Sequence, residues 1–318
     1  MMATIAVPHS IRELPVKKLD PLMNKLDWAI IAGLGIGFGA TLFLNAILVR
    51  EVGPLGISTL RVGLGAMAVW ALVFLNGRAT WLSMGTLFHC LVFGVFMFAV
   101  PFAVFPVSIG YVSTGIVGIV NAMTPVAVVL VSHVWVGSER ATWNKLIGVG
   151  LGLLGIVVLS VPRLMSEGSS EALGILFTLL APLSFAVAMN YMRRLSGTDV
   201  VLMVAVSMTA ATVFLVPILL LIEGAPVVTT MASYGALILL GPVLTGLFFT
   251  AALWMSRRVG PTNSSLLTFI APVSTLLLGW AFLNEGVDSF QLAGMFIIFA
   301  GLLVIDGGLL RRLRVRLT

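Results

Sequence analysis

Glu139 and Glu285 are the acids whose placement first suggests chemistry. Each opens a run of spaced glycines, Gly148, Gly152 and Gly155 after the first and Gly294 and Gly301 after the second, with matched positions 146 apart (285 − 139). Upstream, Gly94 matches Gly241, Val112 matches Val259 and Pro125 matches Pro272, at an offset of 147 (272 − 125). Two carboxylates could relay a proton if they met. Arg61 is the basic residue inside an apolar stretch, and an intramembrane cation is a candidate partner for a ligand carboxylate. The competing readings are snorkelling to the outer interface or pairing with Glu51 and loop carbonyls. His89 and His133 could titrate, though packing at an interface accounts for both. Cys90 is the single cysteine, which excludes an intrachain disulfide and a multi-cysteine metal site. The chain has no His-Glu-x-x-His, no paired aspartates and no phosphate loop ending in Gly-Lys-Ser or Gly-Lys-Thr. Neither an enzyme nor a cofactor is expected.

The elements that would hold these groups are membrane helices. Charged residues make up 9% of the 318 and hydrophobic ones 59%, too few charges to cover a soluble surface. A crossing helix needs about 20 mainly apolar residues. Ten stretches qualify: Trp28–Val49, Leu55–Leu75, Met84–Ile109, Ser113–Val136, Trp143–Val161, Ala172–Tyr191, Val200–Ile222, Tyr234–Met255, Thr262–Leu283 and Phe290–Leu310. With the N-terminus inside, all of the 18 basic residues except Arg50, Arg61 and Arg163 fall on the cytoplasmic side, as the positive-inside rule requires. Residues 1–27 read as a cytoplasmic arm and 311–318 as a basic cytoplasmic tail. The expected fold is all-α and polytopic, ten transmembrane helices in two five-helix repeats, 28–161 and 172–310, with both termini inside. An odd number of spans per repeat makes the second copy inverted. Inversion places Glu139 at the inner surface and Glu285 at the outer one. They cannot then form one pair, and the role left for each is to stabilise a helix N-terminus.

Attention therefore moves to the membrane centre. Pro125 and Pro272 occupy matching places in the fourth and ninth spans, where proline removes a backbone donor and bends a helix. Paired bends there would shape or hinge a central path; static kinks held by packing are the alternative. Asn121, Thr124 and Thr275 lie beside them and could line the cavity or bond their own helices. Thr41, Asn45 and Thr245 are among the other polar residues at mid-depth. Phe98, Phe102 and Phe105 form a stripe in the third span, and Phe248 and Phe249 lie in the eighth; these rings suit packing or lipid contact as well as substrate binding. Gly148, Gly152 and Gly155, with Gly294 in the second copy, make smooth faces for close helix approach.

On the five-plus-five layout and the doubled Glu–Gly pattern, the chain resembles the drug/metabolite transporter superfamily, specifically its EamA-type permeases. Ser138 and Asn284 precede the two glutamates where that family often has Gly. As a whole the chain looks most like the YddG-type aromatic amino-acid exporters. The resemblance implies a central cavity lined by spans one to four and six to nine, and secondary export of amino acids and related metabolites by alternating access. Other drugs or metabolites, or nucleotide sugars in antiport, are the alternative cargo. The implied setting is a bacterial cytoplasmic (inner) membrane. The expected partners are the lipid bilayer and a neutral or zwitterionic small molecule, without nucleic acid; proton coupling stays open.

Overall fold

The computed structural model describes residues 25–77, 81–135, 143–165, 169–259 and 267–306. The arm before residue 25, the basic tail and Glu139 lie outside the described residues. Within them the chain is helical, with no strand. In order come α1 (Lys25–Leu48), α2 (Pro54–Leu75), α3 (Met84–Gly94), α4 (Val100–Ile109), α5 (Thr114–Asn121), α6 (Thr124–Val134) and α7 (Trp143–Met165). They are followed by α8 (Ser169–Tyr191), α9 (Val200–Ile222), α10 (Met231–Ile238), α11 (Phe248–Val259), α12 (Leu267–Leu283) and α13 (Ser289–Asp306). Among the described residues, seven helical runs are long and apolar enough to cross a membrane, and three shorter apolar helices cover Leu146–Leu159, Ile270–Leu283 and Ser289–Val304.

Two of the long runs change pitch midway. Val95–Ala99 joins α3 to α4, and Leu239–Leu247 joins α10 to α11, both as π-helix. At the 147 offset, Val95–Ala99 maps onto 242–246, inside the second π segment, so the repeat extends to an uncommon local geometry. π segments widen the turn and are frequent at functional sites. Proline contributes in both places: Pro242 lies within one segment and Pro101 just after the other, each lacking the N–H that α-helical pitch would use.

Freed carbonyls need new donors, because the bilayer core supplies no water. Pro106 cannot donate to the carbonyl of Phe102, and the Ser58 hydroxyl on α2 lies 2.7 Å from it, its one proton shared with the Pro54 carbonyl at 2.6 Å. Pro125 likewise abandons the carbonyl of Asn121, which accepts from the Thr124 hydroxyl at 2.7 Å. The chain breaks there, between α5 and α6. At Pro272 it does not: α12 runs through without interruption. The residue matching Thr124 is Ala271, which has no hydroxyl to take up a carbonyl (271 − 124 = 147). The helix is thus interrupted at Pro125 and continuous through Pro272.

The repeats meet through glycine. A Cβ added to Gly155 would lie 2.8 Å from the Gly294 carbonyl oxygen, one on Gly294 would lie 2.8 Å from that of Gly155, and one on Gly301 would lie 2.7 Å from that of Gly148. Backbone touches backbone along this seam of α7 and α13. Position 148 faces 301 while 155 faces 294, so the two repeat-equivalent helices cross antiparallel. Elsewhere α1 packs on α12, and α2 packs on α9 and on the Leu239–Leu247 segment. We call the end of the bundle holding the start of α1 the near end. There Asp27 pairs with Arg258 at the end of α11, with Nε···Oδ1 at 3.0 Å. The opposite end we call the far end.

Candidate functional site

The polar groups of the interior gather around Arg61. It lies about 10 Å inside the start of α2, at 1.5 Å per residue, and none of its surface is exposed. Its Nε donates to Thr245 Oγ1 at 3.1 Å, its Nη1 approaches Asn45 Oδ1 at 3.5 Å, and its guanidinium carbon lies 4.0 Å from the centre of the Phe102 ring. Thr245 is held in place by the π segment, donating its hydroxyl to the Leu240 carbonyl five residues earlier at 2.7 Å. Close approach of α2 to that segment depends on glycine: a Cβ at Gly246 would lie 2.7 Å from the Gly65 carbonyl oxygen. Arg61 Nη2 and Asn45 Nδ2 have no hydrogen-bond partner. Neither expected alternative for Arg61 holds. It does not snorkel, and Glu51 is engaged elsewhere.

Glu51 accepts from the backbone N–H of Thr230 at 3.0 Å, the Thr230 hydroxyl at 2.8 Å, the backbone and hydroxyl of Thr229, and the hydroxyl of Ser233. These donors hold its carboxyl far below the usual carboxylate range, the Ser233 hydroxyl contributing most. Glu223, at the end of α9, accepts from the N–H groups of Leu55 and Gly56, each at 3.0 Å. Its partners are the orphan donors at the start of α2, whose N-cap Gly53 brings no side chain of its own.

Phe102 lies in a run of packed rings. Phe98, Phe102 and Phe105 are fully buried, so the stripe points into the bundle and not to lipid. Phe102 meets Phe249 at 5.1 Å between ring centres in a T-shaped contact, Phe98 meets Phe249 at 5.8 Å, and Phe248 lies 5.3 Å from Phe249. Both expected aromatic candidates, Phe102 and Phe248, thus belong to one cluster that begins at Arg61. Such edge-to-face pairs add about 0.5–1.5 kcal/mol each beyond their burial.

The remaining candidates fall into a second group. Thr275 is buried on α12, donates to the Ala271 carbonyl at 2.8 Å and packs against Gly118 of α5 and Gly39 of α1. Thr124 is committed to the Asn121 carbonyl, whereas Asn121 Oδ1 is buried without a donor. α1 connects the groups, with Gly39 against Thr275 and Asn45 against Arg61. Glu285 reaches α5: it accepts from Thr114 N at 2.9 Å and Thr114 Oγ1 at 2.8 Å, while the helix that follows it, α13, is capped by Asp288 accepting from Gln291 N at 2.7 Å. Gly148 and Gly294 lie on the α7–α13 seam. An open groove of ≈ 400 Å³ lined by Leu276, Trp280, Leu292 and Met295 among others is apolar throughout and distant in character from the Arg61 cluster.

Asn45, Thr245 and Glu223 are the residues that sequence reasoning left unranked or missed. The first two were legible only as polar residues in apolar stretches. Glu223 carried no signal beyond its place at a helix end.

Long apolar helices in two copies, packed through glycine and enclosing a buried polar cluster, define a multi-pass membrane protein of the duplicated-transporter class. The EamA-like transporter family matches residues 27–161 and again residues 172–306. The chain belongs to that family and is a membrane transporter. It is 26% identical over 301 residues to the uncharacterized inner membrane transporter YedA of Escherichia coli K12, covering 92% of each chain. It is 21% identical to the uncharacterized transporter YoaV of Bacillus subtilis, covering 83% of this chain and 91% of that one. A protein named a probable terminal-alkyne amino-acid exporter, from Streptantibioticus cattleyicolor, is 24% identical over 64% of this chain and 68% of its own. A solved crystal structure aligns with a TM-score of 0.65 at 19% identity, covering 89% of this chain and 98% of the other, which is a likeness of fold.

Proposed function

We propose that this chain is a secondary transporter of the bacterial cytoplasmic membrane that exports amino acids, aromatic ones included, by alternating access. The observation that carries this reading is the meeting, inside the bundle, of one polar cluster with a wall of phenylalanine rings: Asn45, Arg61 and Thr245 on one side, Phe98, Phe102 and Phe249 on the other. A zwitterion with an apolar side chain needs both surfaces, since its charged end must regain hydrogen bonds on leaving water. The amino-acid cargo named for the Streptantibioticus relative points the same way, as does the overall likeness to YddG-type exporters.

In this reading the three shorter helices also cross the bilayer, giving ten spans as two inverted five-helix repeats, 28–161 and 172–310. The antiparallel meeting of Gly148 with Gly301 and Gly155 with Gly294 supports inversion, because a two-fold axis relating antiparallel helices runs perpendicular to them, in the membrane plane. In this reading both termini lie in the cytoplasm and the far end outside, which the distribution of basic residues supports. Pro125, Asn121 and Thr275 shape the path beside α1. A nucleotide-sugar cargo would call for several cavity cations to meet its phosphates, and the cluster offers one.

Uptake into proteoliposomes, measured across amino acids, nucleotide sugars and quaternary amines, tests the proposal. The expected cargo is an apolar or aromatic amino acid; transport of nucleotide sugars alone would overturn it.

A further inference from the structure

Arg61 is an expensive residue to keep. A guanidinium withdrawn from water is tolerated when opposite charge and hydrogen bonds compensate it. Here no carboxylate among the described residues lies within ion-pairing distance, and the compensation consists of two neutral oxygens, Thr245 Oγ1 and Asn45 Oδ1, and one ring face. Nη2 of Arg61 is unpaired. So is Nδ2 of Asn45, whose amide orientation is set by its oxygen turning toward the arginine. Both orphan groups are donors, and they belong to side chains that touch each other.

The fold does not need this charge. At the 147 offset the counterpart of Arg61 is Met208, also fully buried. The surrounding contact is repeated as well. Gly241 packs on α2 at Arg61 and Leu64, and Gly94 packs on α9 at Ser207. In both copies this close approach meets backbone, the Arg61 carbonyl in one and Ser207 in the other, so the helix contact does not use the guanidinium.

We propose that Arg61 and Asn45 form the binding site for the carboxylate of the transported molecule, and that a free carboxylate is a condition of transport. Unpaired donors on two touching side chains suit the two oxygens of a carboxylate, a group that arginine commonly binds. One cation neutralises one negative charge, so the site suits a monocarboxylate and leaves a phosphate dianion undercompensated. The Phe102 ring, its centre 4.0 Å from the guanidinium carbon, favours the cation and begins the apolar wall along which the rest of the substrate lies. This rests on the amino-acid reading above and sharpens it: esters, amides and decarboxylated amines of the same side chain are excluded.

The experiment is competition for uptake of radiolabelled L-phenylalanine into proteoliposomes. The competitors are unlabelled L-phenylalanine, its amide, its methyl ester, phenethylamine and 3-phenylpropionate, with direct uptake of labelled 3-phenylpropionate in parallel. The two free acids should compete, and the amide, ester and amine should be at least about tenfold weaker, the loss of one charge-assisted pair. R61M, which copies the residue found at the matching position, should lose uptake of both acids while melting no lower than wild type. Equal competition by acid and amide, or full uptake by R61M, would overturn the site. Should R61M not purify as a folded protein, the wild-type panel decides. Should wild type carry 3-phenylpropionate in an Arg61-dependent way but no amino acid, the amino-acid reading fails and the carboxylate site stands.

Discussion

Glu51 caps the helix that follows Glu223, and Glu223 caps the helix that follows Glu51. The exchange joins the α1–α2 turn to the α9–α10 turn at the far end of the bundle, through bonds of 3.0 Å to Thr230 N, Leu55 N and Gly56 N. At the near end the matching positions are capped within their own segment. Ser83, the counterpart of Thr230 (230 − 83 = 147), accepts from Thr86 N, and Asp199 accepts from Val201 N and Leu202 N. Among the described residues, this reciprocal exchange of helix caps between hairpins belongs to the far end. Arg61 lies beneath the clasp, fully covered.

Parting the two hairpins at the far end must break both sets of bonds, so E51Q and E223Q should favour a state open there. Each amide keeps an acceptor oxygen but loses the charge that strengthens bonds to helix N-termini. The measurement is labelling of a cysteine placed at Thr59, in a Cys90→Ser background, by a membrane-impermeant maleimide. A severalfold faster reaction in either variant is expected, and faster still in the double variant. Unchanged labelling would show that the clasp does not limit opening.

The same clasp should be indifferent to pH across the working range of a cell. Donors from Ser233, Thr229 and Thr230 depress the Glu51 pKa far below that of a free carboxylate. A depressed pKa contributes stability above the unfolded value, about 4.3, and loses it only as pH falls through the folded value. Between pH 5 and 8 Glu51 therefore stays ionised. Labelling of the Thr59→Cys, Cys90→Ser protein, divided at each pH by the rate of the same protein unfolded so that thiolate ionisation cancels, should be flat over that interval; a rise on acidification that disappears when E51Q is added would assign Glu51 a proton-sensing role.

Much of this molecule could be read from sequence because the signals are local. Apolar run length marks the helices, and the glycine spacing marks the faces that meet at Gly155 and Gly294. What could not be read depends on which distant helices become neighbours. Glu285 stands before α13 in sequence yet serves α5, and Glu51 lies near Arg61 in sequence yet turns to α10. Pro125 and Pro272 look equivalent, and their difference rests on the residue before each, a threonine with a hydroxyl or an alanine without one. The aromatic stripe of Phe98, Phe102 and Phe105 fits lipid or core equally well by spacing; only the neighbours of α4 decide.

The α7–α13 seam gives a paired test of close packing. Gly294 has backbone within 2.8 Å of any added Cβ, whereas nothing lies within 4 Å of one at Gly150 on the same pair of helices. G294A should lower stability by about 1–3 kcal/mol through overpacking. G150A should raise it by about 0.5–1 kcal/mol, the usual gain on replacing glycine within a helix. Thermal or denaturant unfolding in detergent reads both. Equal effects of one sign would mean that the seam is looser than its backbone contacts imply.

The bond from Ser58 to the Phe102 carbonyl supplies a stricter test, because its cause can be removed separately. Pro106 denies that carbonyl its helical donor, and Ser58, fully buried, replaces it at 2.7 Å. S58A should cost about 1–3 kcal/mol, the penalty of a buried acceptor left unsatisfied. P106A restores an N–H one turn after Phe102. In that background the helix can satisfy its own carbonyl, and the cost of S58A should fall below about 1 kcal/mol. A double-mutant cycle on unfolding free energies measures the difference as a coupling term. Additive effects would mean that Ser58 gives its one proton to the Pro54 carbonyl at 2.6 Å and does not answer the proline. A positive coupling would also bear on transport, since the carbonyl that Ser58 holds belongs to Phe102, whose ring lies against Arg61. Loosening it should therefore weaken substrate binding in S58A and restore it in the double variant, in step with stability.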